Sequence, residues 1–310
     1  MTTALILGAS GFCARHLARA LRQTDDATVI GADVMPEPPE QGLYDRYWAV
    51  DIGDADSVSR LLEDSRPDWV FNLVGVARGS DEDIYRANLL GTVHLLEAVR
   101  MHAPDARVAL VGSAAEYGMV DESALPITED RVCNPVGSYG ISKYAATMAA
   151  TSYAHRHGIK VVIARPFNIV GPGIGPGLVV GAILRRAKEA LATQSQPAIK
   201  VGNLDTKRDF VAVEDVVDGL MAMIRGEHFG EIFNICSGEP RPIREVIELA
   251  LSHAPRPIRL EVDPGLVRSG DVKVIYGSYE KANRAFGFRP AVSLEDSLEA
   301  AWRHEVGGYE

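Results

Sequence analysis

Tyr139 and Lys143 stand four residues apart in Tyr139-Gly140-Ile141-Ser142-Lys143, a spacing that puts a phenol and an ammonium on one face of a helix. A nearby cation stabilises phenolate and lowers the phenol's pKa, so the pair predicts an acid or base that works near neutral pH. Such pairs also occur as plain surface residues. What sets this one apart is Ser113, in Val111-Gly112-Ser113-Ala114-Ala115-Glu116-Tyr117-Gly118 at the C-terminal end of an apolar run, because open α/β sheets bind ligands at those strand ends. Alone, a serine there would be a strand-end cap.

A second group of residues is suited to an anion. Gly8-Ala9-Ser10-Gly11-Phe12-Cys13-Ala14 follows the first apolar run and opens a helical pattern. Glycines let the chain turn tightly and bring backbone N–H groups at a helix N-terminus against a pyrophosphate, and Ala14 is still small enough for close packing of helix on strand. Gly8, Ser10, Gly11 and Phe12 are thereby assigned to a dinucleotide. Asp33 ends the second apolar run, where a carboxylate meets the adenosine ribose hydroxyls and repels a 2′-phosphate. NAD(H) is therefore favoured, with NADP(H) left open. Asp51 and Ile52, after the third apolar stretch, are placed against adenine by the same argument, while the bland reading of Asp33 is a solvated turn acid.

The elements that must position these groups alternate. Apolar runs at 4–7, 28–32, 69–73, 108–111 and 160–164 read as buried parallel strands. Segments of helical period lie between them at 14–21, 55–63, 89–101 and 139–156. A βαβ series of this kind predicts a doubly wound parallel sheet with helices on both faces. After Arg165-Pro166 the pattern changes, and Gly171-Pro172-Gly173-Ile174-Gly175-Pro176-Gly177 is a loop that starts a second lobe. Beyond it, helices are expected at 213–225, 243–252 and 294–302, with a strand at 232–235.

Bulk properties exclude several classes. The chain has 310 residues and a net charge of −10, which argues against a nucleic-acid partner. Its apolar stretches are too short to span a bilayer, and the start lacks the basic segment of a signal peptide, so a cytoplasmic location is expected. Cys13, Cys133 and Cys236 have no metal-ligand spacing and read as buried thiols, with no metal.

The motifs together carry a resemblance. With Asn72-Leu73-Val74-Gly75, Asn88 and Gly91-Thr92, Arg165-Pro166-Phe167-Asn168, Arg208-Asp209-Phe210-Val211 and Arg268-Ser269-Gly270-Asp271-Val272 in this order, the chain resembles an extended short-chain dehydrogenase/reductase of the nucleotide-sugar-modifying type. The resemblance implies an α/β fold with a Rossmann-like doubly wound parallel sheet at 1–166, to which a segment near 208–235 returns. It further implies a smaller α/β C-terminal substrate-binding lobe made of 167–207 and 236–310. Ser113, Tyr139 and Lys143 would be the catalytic triad, with Asn88 supporting proton transfer. Leu73, Val74, Gly75, Tyr139, Lys143 and Pro166 would join the cofactor site. Ser113, Ala114, Ala115, Asn168, Val179, Lys200, Arg208, Arg268 and Asp271 would meet a nucleotide-sugar substrate. Helices 89–101 and 139–156 resemble those that pair across a two-fold four-helix interface, so a homodimer is expected.

One departure narrows the chemistry. Dehydratases of this group place a Glu two residues before the tyrosine of the Tyr-Gly pair, where this chain has Ala115. A methyl group is no base, and in a strand-like segment the offset would point Glu116 the other way. The expected activity is thus reduction of a nucleotide-linked 4-keto-6-deoxyhexose, GDP-linked by resemblance of the 201–209 segment. The alternatives are a nucleotide-sugar 4-epimerase with tightly held NAD, and a non-catalytic NAD(P)-sensing or scaffold protein.

Overall fold

The computed structural model describes residues 2–24, 27–266 and 272–307. Its strands are β1 (Thr3–Leu7), β2 (Thr28–Asp33), β3 (Arg46–Ala49), β4 (Trp69–Asn72), β5 (Arg107–Val111), β6 (Lys160–Pro166), β7 (Asn168–Val170), β8 (Ala198–Val201), β9 (Lys207–Ala212), β10 (Ile232–Ile235), β11 (Pro240–Pro242), β12 (Arg259–Val262) and β13 (Val274–Ile275). Seven of them form one all-parallel sheet in the order β10-β6-β5-β4-β1-β2-β3. The chain builds outward from β1 to β3 and then returns to β4 on the other side. The strand ends beside β1 therefore flank the switch point where such sheets take ligands.

Side-chain alternation divides the core into two layers. Along β1, Ala4 and Ile6 pack with Leu17 and Leu21 of helix Phe12–Thr24 and with Val216 and Leu220 of helix Val213–Arg225. Leu5 and Leu7 face the opposite way. They join Leu61 of helix Ala55–Ser65, Leu95 of helix Gly91–His102 and Ala150 of helix Gly137–His157. Leu61 is fully enclosed, so truncating it to alanine would cost about 2–5 kcal/mol.

The second lobe has its own core. Helices Val179–Thr193, Ile243–Leu251 and Leu294–Val306 surround Val170, Ile199, Val201 and Phe210. Here β9 is the hub, pairing with β7, β11 and β13, while β8 pairs with β12. Arg15 donates to the carbonyl of Gly173 at 2.9 Å, and His16 lies 2.8 Å from that of Pro172. These contacts tie the first helix to the glycine- and proline-rich loop.

Two segments sit differently from the division expected from sequence. Helix Glu280–Phe286 lies on the large sheet, where Ala282 and Phe288 find apolar cover beside Phe233 of β10. Within 208–235, β9 belongs to the small sheet and only the following helix and β10 return to the large one. The helix expected at 89–101 spans Gly91–His102 and is preceded by a π turn at Arg86–Leu90, a local widening often found at functional sites.

Candidate active site

Adjoining cavities run along the C-terminal ends of the large sheet. The first, about 280 Å³, is lined by Gly8, Ser10, Gly11, Asp33, Asp51, Ile52, Leu73, Val74 and Gly75, with Leu7, Ala32, Val34, Val50, Val76 and Ala87. Gly8 has φ +76°, and a Cβ there would lie 3.1 Å from the backbone of Leu73 and Val74. Only glycine turns the chain here without strain. The turn delivers the N-terminus of helix Phe12–Thr24 to the cavity. Asp33 takes the backbone N–H and hydroxyl of Ser10 on one oxygen, at 2.9 and 2.8 Å. Asp51 accepts from Gly53 N–H and pairs with Arg86 at 2.7 Å. Phe12 contributes only its place at the helix start. Its ring packs against the second lobe and edge-on to His16, because the outward face of the first turn meets that lobe.

The second cavity, about 590 Å³, shares Leu73 and Gly75 with the first. Ser113, Ala114, Ala115, Tyr139, Lys143, Pro166, Asn168 and Arg208 all line it. Tyr139 and Lys143 lie in the first turns of helix Gly137–His157, and Ser113 caps a 3₁₀ turn, Ala114–Glu116, at the end of β5. The Lys143 ammonium donates to the carbonyls of Val74 and Val111, both at 2.8 Å. Asn88 on the π turn both donates to and accepts from the backbone of Val76, and donates to Ser142 Oγ at 2.9 Å. It thus braces the loop after β4 against the helix that carries the tyrosine.

The electrostatics differ from the sequence expectation. Burial pushes the Tyr139 phenol up, opposed by a hydrogen bond with Ser113 and reinforced by the Glu116 charge. Burial brings Lys143 down to about 8, opposed by Glu116. The ammonium is spent on two carbonyls rather than on making phenolate, so Tyr139 rests as the neutral phenol. That is the form a proton donor needs. The segment holding Glu116 is also a 3₁₀ turn and not strand-like. The carboxylate leaves the cavity all the same, because it is fully enclosed and paired with Arg165 at 2.8 Å.

A third cavity, about 320 Å³, continues from the second through Asn168, Leu178 and Arg208. Val179 lines it, together with Arg78 and Arg186, which sequence reasoning did not single out. Asn168 donates to the Asp209 carbonyl at 2.7 Å, and Arg208 donates to the Val272 carbonyl at 2.8 Å. Lys200 is not brought to the site. Alternation along β8 turns Val201 inward and Lys200 out, where it pairs with Asp263 at 3.3 Å. Arg268 and Asp271 lie outside the described residues. Among the described residues no His, Cys, Asp and Glu cluster suits a metal, and no helix is long and apolar enough to cross a membrane.

This constellation of glycine turn, strand-end serine and helix-borne tyrosine and lysine on a seven-stranded parallel sheet defines an oxidoreductase-type dinucleotide fold. The chain belongs to the NAD dependent epimerase/dehydratase family, whose match spans residues 4–236. It is 29% identical over 300 residues to the GDP-6-deoxy-D-mannose reductase of Pseudomonas aeruginosa, covering 95% of this chain and 94% of that protein. The solved structure of RMD from Pseudomonas aeruginosa complexed with NADPH matches with a TM-score of 0.85 and 28% identity, over 99% of both chains. A Thermus thermophilus UDP-glucose 4-epimerase complex with NAD gives a TM-score of 0.85 at 26% identity, again over 99% of both chains. A nicotinamide dinucleotide fits the first cavity: the Gly8 turn leaves no room for a side chain, and the helix N-terminus faces the space it opens.

Proposed function

We propose that this protein is a nicotinamide-dependent oxidoreductase that reduces the 4-keto group of a nucleoside-diphosphate-linked 6-deoxyhexose, with GDP as the favoured nucleotide. The observation that carries this reading is the continuity of one cleft from the glycine turn, past Ser113 and Tyr139, to Arg208. When bound, the nicotinamide supplies or accepts the hydride. Tyr139 holds the proton that the carbonyl oxygen needs, and Ser113 orients that oxygen by hydrogen bonding. Lys143 and Asn88 hold the walls, and Arg208 with Asn168 takes the diphosphate side. The likeness to a GDP-6-deoxy-D-mannose reductase favours GDP and the reducing direction. With Glu116 enclosed and a methyl at Ala115, no carboxylate among the described residues lines the cavity wall to start a dehydration.

NADH is the favoured cofactor. The charged groups lining the first cavity are Asp33 and Asp51, both acidic, and a 2′-phosphate would meet them unfavourably. A homodimer is also proposed, through the two helices Gly91–His102 and Gly137–His157. Met101, Ile141 and Met148 on these helices, and Leu90 just before them, are exposed apolar side chains that a second copy would cover. A monomer mass by light scattering at micromolar concentration would remove that part.

The test is a panel of GDP-, dTDP-, CDP- and UDP-linked 4-keto-6-deoxyhexoses assayed with NADH and with NADPH by loss of reduced-nicotinamide absorbance. Oxidation with the GDP sugar supports the proposal. No oxidation with any sugar, together with NAD⁺ carried through purification and turnover without added nicotinamide, would replace it with the 4-epimerase.

A further inference from the structure

Glu116 lies outside the cavity, yet it touches the backbone that holds the cavity's polar groups. One oxygen accepts the Ser113 N–H at 2.8 Å, and the other accepts from Arg165 Nε at 2.8 Å. Glu116 and Arg165 are 0% and 2% exposed. The guanidinium in turn lies 4.8 Å from the centre of the Tyr117 ring, and the Tyr117 hydroxyl donates to Asn234 at 2.7 Å. Position 112 has been shaped around this carboxylate: a Cβ on Gly112 would fall 2.2 Å from Glu116 Oε1. Just ahead of Gly112, the Val111 carbonyl takes the Lys143 ammonium at 2.8 Å. The buried negative charge, the serine and the anchor of the lysine therefore share one turn of chain.

A buried carboxylate is costly unless it is paired and hydrogen-bonded, and well-packed apolar pairs of similar volume are often no less stable than buried ion pairs. Stability of the fold alone does not demand a charge here. The acid–base site does. We propose that Glu116 is a positioning residue: it fixes Ser113 through the backbone and supplies the enclosed negative charge that keeps the Lys143 ammonium protonated beside a neutral Tyr139. This rests on the reading of Ser113, Tyr139 and Lys143 as the reacting group. In the reducing direction that group starts with its proton on the phenol, so a nearby anion favours the working state. The charged and titratable neighbours all bear on the balance. Tyr139 is on the same helix as Lys143. Cys13 comes from the first helix, with its thiol raised by burial to about 12, and Glu116 comes from the strand-end turn. Arg165 lies behind Glu116, against Tyr117 and Cys133.

The test separates charge from position. Glu116→Gln keeps an oxygen for Ser113 and removes the charge. Glu116→Asp keeps the charge and withdraws it by one methylene. In lysine-labelled full-length protein the Lys143 side-chain carbon resonance, assigned by its loss in Lys143→Met, is followed through a pH titration. This readout needs no substrate, so it stands apart from any failure of the reductase assay. The midpoint, near 8 in the parent protein, is expected to fall by about one pH unit in Glu116→Gln and to stay in place in Glu116→Asp. Turnover of Glu116→Asp is expected to drop about tenfold with KM for the sugar unchanged, because Ser113 is displaced. Should Glu116→Gln fail to fold, the double change Glu116→Leu with Arg165→Leu removes both charges, and a smaller acidward movement is expected, because Arg165 lies behind Glu116 and the loss of its cation offsets only part of the loss of the anion. An unmoved Lys143 midpoint in whichever neutral variant folds overturns the proposal.

Discussion

The two ends of the cleft carry opposite charge. At the dinucleotide end the charged groups in the wall are Asp33 and Asp51, and an anion there must be held by backbone N–H groups at a turn and a helix N-terminus. At the far end the charged groups in the wall, among the described residues, are Arg78, Arg186 and Arg208, in a protein whose net charge is −10. Apolar Val179, Ile183, Leu204 and Ile247 also line that wall, with polar Asn168, Asn203 and Thr206. In the proposed reading, one ligand is recognised by chain geometry and the other by side-chain charge. The reacting group sits where the two meet, so each end can be disabled separately from the chemistry.

The sharpest break is at the meeting point. Tyr139→Phe removes the proton and keeps the ring, so turnover should fall about 10²- to 10⁴-fold while dinucleotide affinity, by fluorescence titration, stays within error. A matching loss of cofactor binding would mean that the phenol is part of the dinucleotide wall instead. Next in size is the basic end. Arg208→Met should weaken nucleoside-diphosphate binding about 10- to 100-fold, read calorimetrically, with NADH affinity unchanged.

At the acidic end the effect is smaller and concerns selectivity. Asp33→Ala removes the acceptor for Ser10 and the repulsion of a 2′-phosphate. NADH should bind about tenfold more weakly, and the NADH-over-NADPH preference should shrink or invert. An unchanged ratio would place the discriminating group elsewhere. The smallest effect is graded with pH. Lys143, brought down to about 8 by burial, loses its proton as pH rises through that value. The ammonium is then no longer there to hold the carbonyls of Val74 and Val111, so turnover should decline along a single basic limb above about pH 8. Lys143→Arg, which does not deprotonate, should abolish that limb whatever its absolute rate.

The same contrast explains what could be read from the sequence. The dinucleotide end is built within a short span of chain. Gly8, Ser10 and Gly11 follow β1 directly, Asp33 ends β2, and continuous apolar runs announce both strands. The helix expected at 139–156 appears as Gly137–His157, carrying Tyr139 and Lys143 into one cavity. The substrate end is assembled from segments far apart. Arg78 comes from the loop after β4, Arg186 from helix Val179–Thr193 of the second lobe and Arg208 from β9, and no local spacing joins them. Lys200 shows the cost of a one-residue register on β8, where the inward neighbour Val201 is the residue that lines the cavity. Glu116 lies outside the cavity wall because of a 3₁₀ turn, where the sequence suggests a strand alternation. Its partner Arg165 stands 49 positions away, beyond the reach of any periodicity. The Tyr139 and Lys143 spacing likewise placed both groups but not the direction of the ammonium, which tertiary contact with Val74 and Val111 decides.

The most direct test of the central claim is the fate of deuterium introduced on the reduced nicotinamide and assayed with a GDP-linked 4-keto-6-deoxyhexose. The account predicts one equivalent of label at sugar C4 in the product for each cofactor oxidised, with the rate of labelling lowered about 10²- to 10⁴-fold in Tyr139→Phe. Product formed without label at C4, by a protein that retains its own NAD⁺, would contradict it.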